Sequence, residues 1–170
     1  VWPYNQFKNG DPFLKSEIFS HTYMERIWPK GANEDNKPLA SPIVGIRYGY
    51  GDLDDVIKQL NDNPLTRQAY LPIFFPEDTG AVHGERVPCS IGYLFENFNG
   101  VLDCTYNIRS CDAFRHFRND VYLTMRLMQH VADKTNTSVG KLTMIINNLH
   151  LFENDLYSFN KKELKLKNHG

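Results

Sequence analysis

Ser90-Ile91-Gly92-Tyr93-Leu94-Phe95-Glu96-Asn97-Phe98, Asn99-Gly100, Val101-Leu102-Asp103-Cys104-Thr105-Tyr106-Asn107-Ile108-Arg109-Ser110 carries the central pairing of the chain. Two runs of aromatic and aliphatic residues flank an Asn-Gly pair, the strongest short-range signal for a β-hairpin. Cys89, Ile91, Tyr93 and Phe95 share one parity on the outgoing strand, and Leu102, Cys104, Tyr106 and Ile108 share one on the return strand. An antiparallel hairpin brings its two open ends together. The pairing therefore predicts Cys89 next to Arg109 and Ser110 at one end of a sheet.

Working outward, Asp52 to Leu60 predicts a helix, with Leu53, Val56, Ile57 and Leu60 at helical spacing and Asp52 as its cap. Tyr70-Leu71-Pro72-Ile73-Phe74-Phe75 predicts a strand that Pro72 confines to an edge or a bulge. Val121 to Asp133 predicts a long helix with Val121, Met125, Met128 and Ala132 on one face. Lys141 to His150 predicts a further strand with Leu142, Met144 and Ile146 turned inward, and residues 29–42 a polar loop. Strands in the middle with helices packed against them give an α+β fold with a mixed or antiparallel sheet.

A length of 170 residues predicts one domain, and 41% hydrophobic with 13% aromatic residues is a globular composition. Nineteen Lys and Arg against 20 Asp and Glu leave no basic block, so a nucleic-acid groove is not expected. The three cysteines, Cys89, Cys104 and Cys111, lack paired spacing. That predicts reduced thiols and a cytoplasmic protein, as does the lack of a leader or of an apolar run near ~20 residues. The chain opens at Val1 without an initiating Met and runs out in Lys161-Lys162-Glu163-Leu164-Lys165, so it reads equally as a fragment or a processed protein.

The chemistry gathers between Pro88-Cys89 and Asp120. A thiol is a strong nucleophile once ionised. The guanidinium of Arg109 matches phosphate oxygens and Ser110 adds a hydroxyl donor. Asp112 and Asp120 supply carboxylates. Together these suit covalent chemistry on a nucleotide base. Cys104 and Cys111 are expected to be structural. Asp120 could also open the Val121 helix as its N-cap, and Asp112 alone would more often be a helix cap.

Pro-Cys, a hairpin, Arg109-Ser110-Cys111-Asp112 and then a polar side chain eight positions on resemble the thymidylate synthase superfamily. In thymidylate synthases the eighth position is asparagine; here it is Asp120, a variant similar to the bacteriophage deoxycytidylate hydroxymethylases. The likeness covers residues 45–159, is strongest from Val87 to Asp120, and is weak over 1–44. It implies a homodimer formed through the sheet, a pyrimidine nucleoside monophosphate as substrate, 5,10-methylenetetrahydrofolate as one-carbon donor, and no metal. It implies Cys89 as the nucleophile at carbon 6 of the base, Arg109 and Ser110 on the phosphate, and Asp112 ordering the site. Asp120 would hold cytosine and favour its protonation at ring nitrogen 3.

Arg67, in Asn63-Pro64-Leu65-Thr66-Arg67-Gln68, matches the first of two family arginines that reach the phosphate of the other subunit; Gln68 replaces the second. His150 matches the family's His-x-Tyr near the sugar 3′-hydroxyl, but Phe152 lacks the tyrosine hydroxyl. Ser90 stands where a histidine follows the nucleophile, and His116 where the base loop has glycine. The resemblance offers Glu17, with Glu25 as a rival, for the family's general-base glutamate, while each on its own reads as a surface glutamate; the C-terminal segment that closes over the folate is short or missing. The expected reaction is 5-hydroxymethylation of dCMP. The alternatives are methylation of dUMP and a non-catalytic nucleotide-binding or scaffold homologue.

Overall fold

The structure, a computed structural model, describes residues 23–28, 52–81 and 87–157. The predicted loop at 29–42 and Glu17 lie outside the described residues. In chain order the elements are α1 (Tyr23–Ile27), α2 (Leu53–Asp62), β1 (Tyr70–Pro72), a 3-10 helix (Pro76–Ala81), β2 (Ser90–Phe98), β3 (Val101–Ile108), β4 (Cys111–Asp112), α3 (Phe117–Thr135), β5 (Ser138–Ile146) and β6 (Leu149–His150). They build a mixed α+β fold around a four-stranded sheet of order β1-β2-β3-β5, with β4 and β6 forming a separate two-stranded ladder. The β1-β2 and β2-β3 pairs are antiparallel and β3-β5 is parallel. Parallel neighbours need a crossover, which α3 provides.

The hairpin forms as the sequence predicts. Asn99 and Gly100 both take positive φ, 52° and 80°, the backbone that a two-residue turn demands. Tyr93 then lies opposite Tyr106, and Phe95 opposite Cys104, all four on the core face. The predicted parity of Cys89 and Ile91 fails, because the register shifts between Ser90 and Gly92. One extra residue in a strand breaks its two-residue period. Ser90, not Ile91, faces the core opposite Ile108, and Cys89 turns out to solvent. The Ile91 carbonyl at this irregularity accepts N–H groups from Ile73 (2.9 Å) and Phe74 (3.0 Å).

The helices follow their caps. Asp52 Oδ1 accepts from the N–H groups of Asp54 (3.0 Å) and Asp55 (3.2 Å), and Asp55 returns a carboxylate to the Asp52 N–H (3.0 Å). α2 so begun buries Leu53, Val56, Ile57 and Leu60, the predicted face. α3 starts at Phe117, four residues ahead of the predicted start, and its N-cap is His116. Asp120 is therefore in the first turn and does not cap the helix. The buried face comprises Thr124, Leu127, Met128, Val131 and Ala132, so Val121 and Met125 lie at the margin of the contact.

Two strand predictions need correction. β1 ends at Pro72, three residues short of Phe75, because proline has no N–H for the ladder; as predicted, it is an edge strand. The strand expected over 141–150 breaks after Ile146. Asn147 still donates to the Ile108 carbonyl (2.9 Å), but the next carbonyl, Asn148, takes the Cys111 N–H (2.8 Å) and starts a new ladder. Leu142, Met144 and Ile146 do pack on the core.

That core includes Trp28, Leu53, Leu60, Leu71, Ile73, Phe95, Leu102, Ile108, Leu127 and Met128. Short α1 is joined to it by a buried ion pair. Arg26 donates to both carboxylate oxygens of Asp78 (2.7 and 2.8 Å) and to the Ile73 carbonyl (2.8 Å), and Asp78 also accepts the Phe75 N–H (2.8 Å). A five-residue helix is too short to hold itself. A buried charge is tolerated only while its partner remains, and breaking such a pair costs ~3–5 kcal/mol. Arg26→Met should therefore destabilise the fold by about that much in urea titration. Adding Asp78→Leu should cost less than the sum of the single changes; strictly additive losses would contradict the coupling.

Candidate functional site

The open end of the hairpin is closed by one backbone bond, from the Arg109 N–H to the Cys89 carbonyl (2.8 Å). The pairing thus places the Cys89 and Arg109 backbones side by side, as the sequence predicts. Both residues are exposed, and Ser110 is half-buried. On the other side of Cys89 stands α1. The Tyr23 hydroxyl accepts the N–H groups of Cys89 (3.2 Å) and Ser90 (3.4 Å). Ser90 Oγ and the Tyr106 hydroxyl form a short buried hydrogen bond, and the Tyr106 ring stacks on Tyr93 with centroids 4.4 Å apart. Burial pushes all three tyrosine hydroxyls above their ordinary range, so they act here as neutral donors and acceptors.

Asp120, on the first turn of α3, meets Cys111 on β4. The Cys111 thiol donates to Asp120 Oδ2 at 3.4 Å. Burial, helped by that carboxylate, pushes the thiol up to about 12, so it stays protonated and serves as a donor. Burial also raises the Asp120 carboxyl above its ordinary range, opposed by the Cys111 hydrogen bond and by the nearby His116. Asp120 acts electrostatically on Tyr106, and Cys89 on Cys111, so these groups form one cluster. Cys111 was expected to be structural. No spacing rule links positions 111 and 120; only the packing of α3 on β4 brings them together.

The second ladder gathers the remaining residues. β4 and β6 pair Asp112 with His150. This brings Ser110 Oγ within 3.3 Å of His150 Nδ1, across 40 positions of sequence. Asp112 is buried and accepts the N–H groups of Phe114 and Arg115, both at 2.9 Å. Burial alone would raise its carboxyl, but these two bonds prevail and hold it below the ordinary range. Arg115, which the sequence reading did not single out, grips Asp155 through two bonds (2.7 and 3.0 Å) and lies over the Phe152 ring, 5.4 Å from its centroid. Its signal lay in the motif itself, three residues after Asp112.

Cys89, Arg109, Ser110, Asp112, Asp120 and His150 thus share one end of the fold. Arg67 does not join them within this chain. It is exposed on the turn before β1, and Phe95 donates to the Ala69 carbonyl there, six residues along β2 from Cys89. That separation is roughly 20 Å of strand. A cavity of about 710 Å³ opens between α2 and β1, lined by Lys58, Gln68, Tyr70 and Phe74 among others, and contains none of the predicted site residues. Glu25 lies on α1. No described helix is long and apolar enough to cross a membrane.

The family model described as "Thymidylate synthase" matches residues 22–168. The chain is similar to the thymidylate synthase of Mycoplasma pneumoniae, 27% identical over 159 residues, 91% of this chain and 54% of that protein. It is also similar to the thymidylate synthase of Baumannia cicadellinicola, 28% identical over 160 residues, 88% of this chain and 58% of that protein. A third similarity is to that of Streptococcus agalactiae, 30% identical over 122 residues, 65% of this chain and 43% of that protein. The chain spans about half the length of the curated relatives it matches.

The three thiols differ sharply in environment. Cys104 and Cys111 are buried, and burial pushes each up to about 12, whereas Cys89 is exposed. Iodoacetamide on the native protein near neutral pH should label Cys89 at least tenfold faster than the other two, read by peptide mass spectrometry. Equal labelling of all three without denaturant would show that the burial is wrong.

Proposed function

We propose a function from one premise: this chain belongs to the thymidylate synthase family. The family transfers a one-carbon unit to a pyrimidine nucleotide, with methylenetetrahydrofolate as co-substrate. Within it, we read this protein as a hydroxymethylase of dCMP. The observation that carries this is the carboxylate of Asp120 at the base-reading position, where thymidylate synthases have an amide. The Cys111 thiol donates to Asp120 Oδ2. Each carboxylate oxygen accepts more than one hydrogen bond, so Asp120 can take the exocyclic amine of cytosine on one oxygen and share a proton with ring nitrogen 3 on the other. An ionised carboxylate only accepts hydrogen bonds, so it suits that amine and repels the position-4 oxygen of uracil.

In this reading the Cys89 thiolate adds to carbon 6, and the electron pair of the 5,6 double bond passes to carbon 5. Carbon 5 takes the one-carbon unit from the co-substrate; loss of the carbon 5 proton then breaks the carbon–nitrogen bond, releases tetrahydrofolate and leaves an exocyclic methylene, to which water adds to give the hydroxymethyl group. Asp120 shares a proton with ring nitrogen 3, which makes carbon 6 more electrophilic. The electron pair that the addition of water returns to carbon 5 re-forms the 5,6 double bond and expels the Cys89 thiolate. Arg109 and Ser110 hold the phosphate, and His150 fixes Ser110 and faces the sugar. Asp112 holds the turn that carries the base reader. Arg67 reaches the phosphate from a second copy of the chain, in keeping with its ~20 Å offset along β2. The protein is then a homodimer with shared sites, each copy a single domain over 1–170. Glu17, outside the described residues, is the proposed general base.

A second reading, methylation of dUMP, is favoured by the names of the relatives. It also has a physical basis: burial raises the Asp120 carboxyl, and a neutral carboxyl can donate to the position-4 oxygen. Incubation with dCMP or dUMP and labelled methylenetetrahydrofolate, followed by mass analysis, separates the readings. We expect 5-hydroxymethyl-dCMP, and none from Cys89→Ser. Thymidylate from dUMP with dCMP untouched would overturn the hydroxymethylase reading.

Asp120→Asn should move preference toward dUMP by tenfold to several hundredfold, the range for exchanging one or two buried polar pairings. The two-point pairing of Asp120 with cytosine needs one shared proton. Affinity for dCMP should accordingly weaken as pH rises through the raised carboxyl range, and the Asn variant should lose that dependence. Dissociation constants of both nucleotides, measured from the ordinary carboxylate range at about pH 4 upward past neutrality, provide the check; a flat wild-type profile would exclude the shared proton.

A further inference from the structure

We propose that Cys111 is a positioning residue for Asp120: its thiol holds the carboxylate in one orientation and sets how readily it takes up a proton, an inference that rests on the proposed role of Asp120 as base reader. Cys111 is buried and locked by its backbone. β4 pairs it with Leu149, and its N–H donates to the Asn148 carbonyl (2.8 Å). Its side chain belongs to the hydrophobic core. A thiol has one hydrogen to give, and two acceptors stand near this sulfur. The Asp112 carbonyl is 3.8 Å away and Asp120 Oδ2 is 3.4 Å away. The shorter contact is also the one to the group that carries charge, and hydrogen bonds to ionised acceptors are the stronger ones. Burial pushes the thiol up to about 12, so the hydrogen stays on sulfur while Asp120 titrates.

Among the described residues, Cys111 is the one side-chain hydrogen-bond partner of the Asp120 carboxylate. The helix fixes only the backbone, through the Asp120 N–H to the His116 carbonyl (2.9 Å). Rotation of the carboxyl group is therefore set from β4. The titratable groups that meet this carboxylate are Cys111 from β4, His116 at the N-cap of α3 and Tyr106 from β3, while Cys89 and Asp112 act on Cys111 in turn. Burial raises the Asp120 carboxyl. The Cys111 bond is the larger of the two influences that oppose burial, ahead of His116. A donor to the ionised form of a group favours that form. The thiol thus keeps the reader in the acceptor state that suits the cytosine amine, against a burial that favours a neutral carboxyl able to donate to uracil.

Cys111→Ala removes the hydrogen and leaves the backbone ladder. Asp120 should then titrate at a pH higher by roughly 0.5 to 1, the size expected for one weak donor to a charged acceptor. Carbon NMR of the full chain, labelled at the aspartate carboxyl carbons, reads this directly without nucleotide, and Asp120→Asn identifies the signal. Cys111→Ser, whose hydroxyl is the stronger donor, should return the titration to the wild-type position or below. The fall of dCMP affinity with rising pH should move up by the same amount in Cys111→Ala and return in Cys111→Ser. A merely structural role predicts lost stability, and neither the shift nor its reversal by serine. An Asp120 titration unmoved in Cys111→Ala overturns the proposal, as does a shift that serine leaves uncorrected. A titration that moves while the dCMP profile keeps its place overturns the link to base reading. Wild-type protein that binds no pyrimidine nucleotide would instead overturn the functional reading, and the NMR titration would still decide whether Cys111 governs Asp120. If Cys111→Ala fails to fold, Cys111→Val fills the volume without a donor and takes its place, with the same shift expected.

Discussion

The bond from the Arg109 N–H to the Cys89 carbonyl is the last rung of the β2-β3 hairpin, and the candidate site depends on it. A two-residue Asn-Gly turn leaves the hairpin no slack, so register propagates from the turn to the open end. At that end it places a thiol and a guanidinium in neighbouring strands. The irregularity at Ile91 then decides which way the thiol looks. Without it, parity would send Cys89 to the core face with Tyr93 and Phe95. With it, Ser90 takes the inward place and bonds Tyr106, and the thiol faces solvent.

The rest of the site is assembled around this rung by long-range contacts. β5 lies parallel to β3, and its last residues hand the chain from one ladder to the next. That handover brings His150 to Ser110 and fixes the turn after Asp112. Arg115 secures the same turn from outside by gripping Asp155. α3, which provides the crossover between β3 and β5, carries Asp120 on its first turn toward Cys111. A structural crossover therefore also delivers the proposed base reader.

Burial sorts groups of the same chemical type into different roles. Cys111 and Cys104 are held as thiols by desolvation, while Cys89 is open to solvent. Asp112 and Asp120 are both carboxylates beside the same turn, yet their ranges move in opposite directions. Two N–H donors lower Asp112, and desolvation raises Asp120. The difference suits a fixed anchor in one case and a group that exchanges a proton with a ligand in the other.

The local features are legible in the amino-acid sequence. The Asn99-Gly100 hairpin, the Asp52-capped helix with its buried Leu53, Val56, Ile57 and Leu60, the edge strand at Pro72 and the apposition of Cys89 with Arg109 all follow from turn chemistry, capping and period. The motif from Pro88 to Asp120 was legible because its order alone carries the likeness. The departures from period and the distant contacts arise from packing. The register shift at Ile91 has no composition signal, so the direction of Cys89 could not be read. The contacts Cys111–Asp120, Tyr23–Cys89 and Arg26–Asp78 span 9, 66 and 52 positions with no shared periodicity. Periodicity reports which face of one element is buried; it does not report which other element covers that face, because that depends on how the helices pack on the sheet once it has formed.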